Sequence, residues 1–229
     1  MSERLTVGIL VSPGYVVADI IGPQTVFGMQ PDVDLHLLWK DTGPVVGAPA
    51  FPTVPTTRFA DCPEELDVLA VGAVGSEVLG DPEVIEFFGQ AARRARHVIA
   101  ICGGTFVAGL AGLLTNRRAT TNFHLADLLP RVGAIPAGTG IVVRDGDIWT
   151  AGPVTGSYEA ALLVLAELRG IEAARRAELD LEFAPKPPFG TGSPALAGPE
   201  LTAESVAAFS GWHEELAAVL DRAEVAARA

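Results

Sequence analysis

Three observations predict an α/β fold built on a mostly parallel sheet covered on both faces. RLTVGILVS (4–12), LDVLAVG (66–72) and HVIAIC (97–102) are short apolar runs of the kind that fills a strand buried on both sides. Segments with helical spacing alternate with them, as parallel pairing requires of its crossovers. Hydrophobic residues make up 49% of the 229 positions and charged ones 19%, enough apolar mass for one large core.

The first run closes on Pro13-Gly14, a turn pair, and ADIIGPQTVFGM (18–29) reads as a helix with Asp19 near its start. VDLHLLWK (33–40) alternates like a strand. DPEVIEFFGQAARRA (81–95) opens with an Asp N-cap and Pro at the first helical position, then turns amphipathic. HVIAIC passes directly into GTFVAGLAGLL (104–114), read as its helix, and HLADLLPRVG (124–133) as a short one. GIVVRDGDIWTAG (140–152) forms a hairpin around Asp145-Gly146, and TGSYEAALLVLAELRG (155–170) a long helix ended by Gly170. APKPPFGTGSPALAGPEL (184–201) is rich in Pro and Gly. One helix from near Thr202 follows, with an apolar stripe of Val206, Phe209, Trp212, Leu216 and Val219. The expected organisation is one α/β domain over 1–194. A linker and C-terminal helix over 195–229 then pack on that domain or on a dimer partner.

A net charge of −12 opposes binding to nucleic acid or an anionic membrane, because phosphate would be repelled. No apolar run reaches the ~18 residues of a membrane span. The start, MSERLTVGIL, lacks a secretory pattern, so the chain reads as cytoplasmic. Cys62 and Cys102 are too few for a metal site, and GTGSP (190–194) lacks the context of a phosphate loop, so no cofactor is expected. A Cys62–Cys102 disulfide is disfavoured, since one residue ends a buried strand and the other lies in a polar stretch. Trp39 and Trp149 read as packing residues.

Cys102 sits where an α/β sheet places its ligands, at the carboxyl end of a strand and the start of a helix. Gly103 and Gly104 permit a tight turn there, and amides and dipole would lower the thiol's pKa below its free value of ~8.5. Cysteine is also among the most buried residues, so spacing alone leaves a nucleophile and a packed core thiol equally open.

The Ile-Cys-Gly-Gly turn, with VVADIIGPQTVF (16–27), resembles the ThiJ/PfpI superfamily, and within it the isonitrile hydratases. PDVDLHLLWKDTGPVV (31–46), FADCPEELDVL (59–69), LAGLLTNRRATTNF (110–123), VVRDGDIWTAG (142–152) and LEFAPKPPFGTGSP (181–194) extend the resemblance to about Pro194. It implies a flavodoxin-like three-layer sandwich, a homodimer, and a cofactor-free enzyme acting on a small molecule. By position, Cys102 would be the nucleophile and Asp19 the acid beside it, whereas the residues alone make Asp19 a helix-start carboxylate. Backbone groups of Gly72, Ala73 and Gly103 would bind developing charge, and Asn122, His124, Tyr158 and Glu159 would face the pocket.

The chain departs from that group around the site. Gly103 stands where its members carry threonine, Asn122 where they carry histidine, and GAVGSEV (72–78) is a shortened glycine loop with Ala73 for one glycine. A retained fold with altered chemistry is therefore expected. Acid–base catalysis by Asp19, Tyr158 or Glu159 without covalent attack, and a non-catalytic or redox-sensing protein, are the alternatives.

Overall fold

The computed structural model describes residues 4–228. The chain runs β1 (Leu5–Leu10), α1 (Val17–Gly28), β2 (Val33–Trp39), β3 (Val45–Gly47), β4 (Phe51–Thr53), β5 (Thr57–Arg58), β6 (Leu66–Val71), α2 (Ser76–Leu79), α3 (Pro82–Ala92) and β7 (Ala95–Ile101). It continues through α4 (Gly104–Leu110), β8 (Arg118–Ala119), a 3-10 helix (Ala126–Val132), β9 (Ile135–Pro136), β10 (Val142–Asp145) and β11 (Ile148–Ala151). Helices α5 (Thr155–Arg169), α6 (Ile171–Asp180), α7 (Pro194–Ala197), α8 (Pro199–Ala208) and α9 (Ser210–Arg228) complete it.

Seven strands form the central sheet in the order β10-β11-β7-β6-β1-β2-β5. Every pairing is parallel except that of β10 with β11, the hairpin at one edge. Helix α1 packs on α5 and α5 on α6 over one face, while α3 and α4 cover β6 and β7 on the other. The result is the expected three-layer α/β sandwich. Val7, Ile9, Val68, Leu69, Ile99 and Ile101 are fully buried, as central strands covered on both sides must be. The Asp81 side chain accepts from the Glu83 amide at 3.0 Å, so the N-cap read from DPEV is present.

Three segments differ from expectation. Helix α4 stops at Leu110 rather than Leu114, since the chain turns at Gly112 with φ +77°. The 124–133 segment is a 3-10 helix over Ala126–Val132, and Pro130 within it has no N–H to give. The single helix expected from near Thr202 is two, α8 and α9, broken where Phe209 leaves helical geometry before Ser210-Gly211. That break divides the apolar stripe: Leu216 and Val219 are buried, whereas Val206 and Phe209 are each nearly half exposed. Helix α9 lies on α2 and the 3-10 helix of the same chain. Arg131 holds it there, pairing with Asp221 and Glu224 and donating to the Ala217 carbonyl. Trp39 packs edge-on against Phe59, and Trp149 lies under the Arg144 guanidinium, both as packing residues.

Candidate active site

Strand β7 delivers Cys102 to the carboxyl edge of the sheet, where its backbone takes φ +56°. Such a conformation costs a residue with a Cβ of order 1–3 kcal/mol and persists only when its surroundings enforce it. Here the Cys102 amide donates to the Ala151 carbonyl at 2.9 Å, while its own carbonyl accepts from the Thr121 hydroxyl at 2.6 Å. Space requires the second of the glycines that follow and is tight at the first. A Cβ on Gly104 would stand 2.5 Å from the Val71 carbonyl oxygen, and one on Gly103 3.0 Å from the Ala73 Cβ. Cys102 keeps 7% exposure at the top of this turn.

Asp19 approaches the sulfur from α1 and is completely buried. One carboxyl oxygen accepts from the Ala73 amide at 3.1 Å, the other from the Val154 amide at 3.5 Å, and the carboxyl also hydrogen-bonds the Cys102 thiol. Val154 presents its amide from an unusual conformation, φ 56° and ψ −97°, although it is β-branched. Gly72 makes room for the acid, since a Cβ there would lie 2.6 Å from the Asp19 Cβ. The Asn122 side-chain nitrogen donates to Sγ at 3.3 Å, and its oxygen accepts from the His124 amide at 3.0 Å.

Burial raises the Asp19 carboxyl to about 6, opposed by the Ala73 and Val154 amides and the Cys102 thiol. Burial also pushes the Cys102 thiol well above its ordinary value, and the Asp19 charge adds to the rise. The Gly103 amide and Asn122 pull the other way without prevailing. The acidified thiol expected from a strand-to-helix turn is therefore corrected. A desolvated sulfur next to a carboxylate holds its proton more tightly than the turn's amides and Asn122 release it. Above pH 6 the pair is a thiol donating to a carboxylate, with one proton between them.

The structure brings Cys102, Asp19, Gly72, Ala73, Gly103 and Asn122 into one cluster. The Ala73 amide is occupied by Asp19, so it supports the acid rather than waiting for developing charge. His124 stands one residue further out, with its ring nitrogen 3.0 Å from the Ser205 hydroxyl and its ring centre 4.5 Å from that of Phe209. Burial lowers its pKa, which keeps the ring neutral. Tyr158 and Glu159 are placed elsewhere. Tyr158 stacks on Phe183 with ring centres 5.2 Å apart, and Glu159 lines an outer groove with Leu163 and Phe183. The cause is helical geometry: Ser157 meets Gly22 of α1, and steps of about 100° carry the next two residues outward. Thr121, Val154, Ser205 and Trp212 join the site or its rim without having been read as site residues. Their roles come from pairings across the chain that no local pattern announces.

Both cysteines are free thiols, Cys62 being half-buried. Among the described residues, no group of three or more His, Cys, Asp or Glu is arranged to hold a metal ion, and no helix is long and apolar enough to cross a membrane.

Against known proteins, residues 6–167 match the DJ-1/PfpI family. The chain is 43% identical over 195 residues to an isonitrile hydratase of Pseudomonas putida, covering 84% of this chain and 85% of that one. A ThiJ/PfpI family protein from Pseudomonas syringae superposes with a TM-score of 0.90 at 30% identity, covering 96% of this chain and 91% of its own. DJ-1beta of Drosophila melanogaster shares the fold at a TM-score of 0.66 and 20% identity, over 80% of this chain and all of its own. With a cysteine at the strained strand-to-helix turn and a buried acid beside it, the chain belongs to the DJ-1/PfpI family.

Proposed function

We propose that the protein is a cofactor-free lyase that adds water to an isonitrile and releases an N-substituted formamide. The observation that carries this reading is the Cys102–Asp19 pair, which keeps a sulfur and a single transferable proton side by side. An isonitrile needs that combination, because its terminal carbon receives both the nucleophile and the proton. The similarity to the Pseudomonas putida hydratase supports the same reading.

In the first step the Asp19 carboxylate takes the thiol proton as sulfur attacks the terminal carbon. It then gives that proton to the same carbon, forming a C–H bond and leaving a thioimidate, R–N=CH–S–Cys102. In the second step Asp19 removes a proton from water as the oxygen attacks this carbon. Asp19 passes that proton to the nitrogen, giving R–NH–CH(OH)–S–Cys102. The C–S bond then breaks as the hydroxyl proton returns through Asp19 to the departing sulfur, leaving R–NH–CHO and the thiol. The Asn122 amide stabilises the sulfur whenever it carries negative charge, as attacker and as leaving group. The Gly103 amide bonds to the same sulfur.

The chain would work as a homodimer in the reducing cytoplasm, without nucleic acid, and the exposed Leu163 and Ile171 beside the outer groove offer an apolar surface for self-association. The test is direct. Purified protein is mixed with cyclohexyl isonitrile, and formamide is followed by proton NMR with Cys102→Ala as control. Formamide formed by the wild type and lost in the variant supports the reading, and equal rates in both refute it.

A further inference from the structure

The tail helices reach the cysteine turn and complete its surroundings. The Trp212 ring edge lies 3.3 Å from where a Cβ on Gly103 would stand, so it occupies the space that a side chain at 103 would need. Phe209 packs edge-on against Trp212 with ring centres 6.2 Å apart and lies against the His124 ring. The His124 backbone amide donates to Asn122, whose nitrogen donates to the sulfur. A closed circuit of contacts therefore runs from Cys102 through Asn122, His124, Phe209 and Trp212 to Gly103. Its outer half is aromatic.

We infer that Trp212, with Phe209 beside it, is a specificity-determining residue that selects neutral electrophiles carrying an apolar, preferably planar, substituent. This rests on the reading of Cys102 as the attacking group. An electrophile at the sulfur has Asp19 and Asn122 on its inner sides, and both are engaged with the sulfur. A substituent that leaves the sulfur over Gly103 meets the Trp212 ring edge. That edge is apolar and carries no formal charge, so an anionic substituent would lose its hydration there without finding a partner. The buried Asp19 carboxylate and the net charge of −12 further disfavour anions. A Cβ at position 103 would already press on the indole edge at 3.3 Å, so the glycine leaves that edge room beside the turn.

Two alkylating probes that share a reactive centre test this without requiring turnover. The rate of Cys102 modification by N-benzyl iodoacetamide is divided by that for iodoacetamide, with Cys62 in the same chain as internal reference. Trp212→Ala is expected to lower the Cys102 ratio roughly fivefold to tenfold while leaving the Cys62 ratio unchanged. Trp212→Gln, which keeps the reach of the side chain but not its ring, should lower it similarly. A Cys102 ratio that stays the same or rises in these variants overturns the inference. Benzyl and methyl isonitrile are then compared as substrates. If the wild type hydrates neither, the hydratase reading fails, and the alkylation ratio still decides the role of Trp212.

Discussion

The side-chain nitrogen of Asn122 stands 3.3 Å from the sulfur of Cys102 and donates to it. It is a side-chain donor to the sulfur, beside the Gly103 amide. Replacing Asn122 with Ala removes it and also leaves the His124 amide without its acceptor. A fall of about tenfold in kcat/KM is expected, the size of one hydrogen bond to a charged group. The pH at which Cys102 alkylation reaches half its maximal rate should move up, a change that simple loosening of the fold would not give.

The buried acid makes stability depend on pH. Asp19 titrates near 3.8 when unfolded and at about 6 when folded, so between those values the folded chain binds the extra proton. Stability therefore falls as pH rises through that window, by a total of about 3 kcal/mol, and is flat with respect to this group on either side. Urea denaturation from pH 3.5 to 7 should show the slope. Asp19→Asn should remove it, and a slope that persists in the variant would show that another group is responsible.

Activity should run in the opposite direction over the same range. If Asp19 must receive the thiol proton, kcat/KM for an isonitrile rises through an apparent pKa near 6 and levels above it. The Asp19→Asn enzyme should lose at least two orders of magnitude together with that limb. A profile that instead falls through pH 6 would mean that the protonated acid is the working form.

Two glycines separate space from propensity. Gly104→Ala drives a Cβ to 2.5 Å from a backbone carbonyl that cannot turn aside, and should cost about 2 kcal/mol or more. Gly75 has nothing within 4 Å of its would-be Cβ and a φ of −65°, so Gly75→Ala should change stability by less than about 1 kcal/mol. Thermal melts of the two variants check the contrast.

Arg131 pins α9 through two carboxylates and one carbonyl while keeping 25% of its side chain exposed. Arg131→Ala should cost roughly 1 kcal/mol of stability, since the pairs reach solvent. It should also speed proteolysis within 210–228. A cleavage pattern unchanged from the wild type would show that Leu216 and Val219 hold the helix unaided.

Much of this architecture was legible because it is local. Apolar runs at β1, β6 and β7, the Asp81-Pro82 cap and the cysteine followed by two glycines each state their own geometry. Asp19 became a site residue only through resemblance, since a carboxylate near a helix start has an ordinary explanation. The contact between Trp212 and Gly103 was hidden because it joins positions more than a hundred residues apart, and the stripe that held Trp212 read as one helix. The thiol's high proton affinity was equally illegible. A turn's amides can be inferred from spacing, but the desolvation that outweighs them depends on how completely α1 and its carboxylate close over the sulfur.

The acid's two amide partners lie 54 and 135 residues along the chain from it, so three distant segments must come together before the carboxylate is satisfied. Contacts of such separation form late, after much of the loop entropy has been lost. During refolding, helical ellipticity should therefore recover before Cys102 resists alkylation. The nascent protein passes through an interval in which its most important thiol is bare, and an oxidant met in that interval would trap the chain on the way to its fold rather than switch off the finished enzyme.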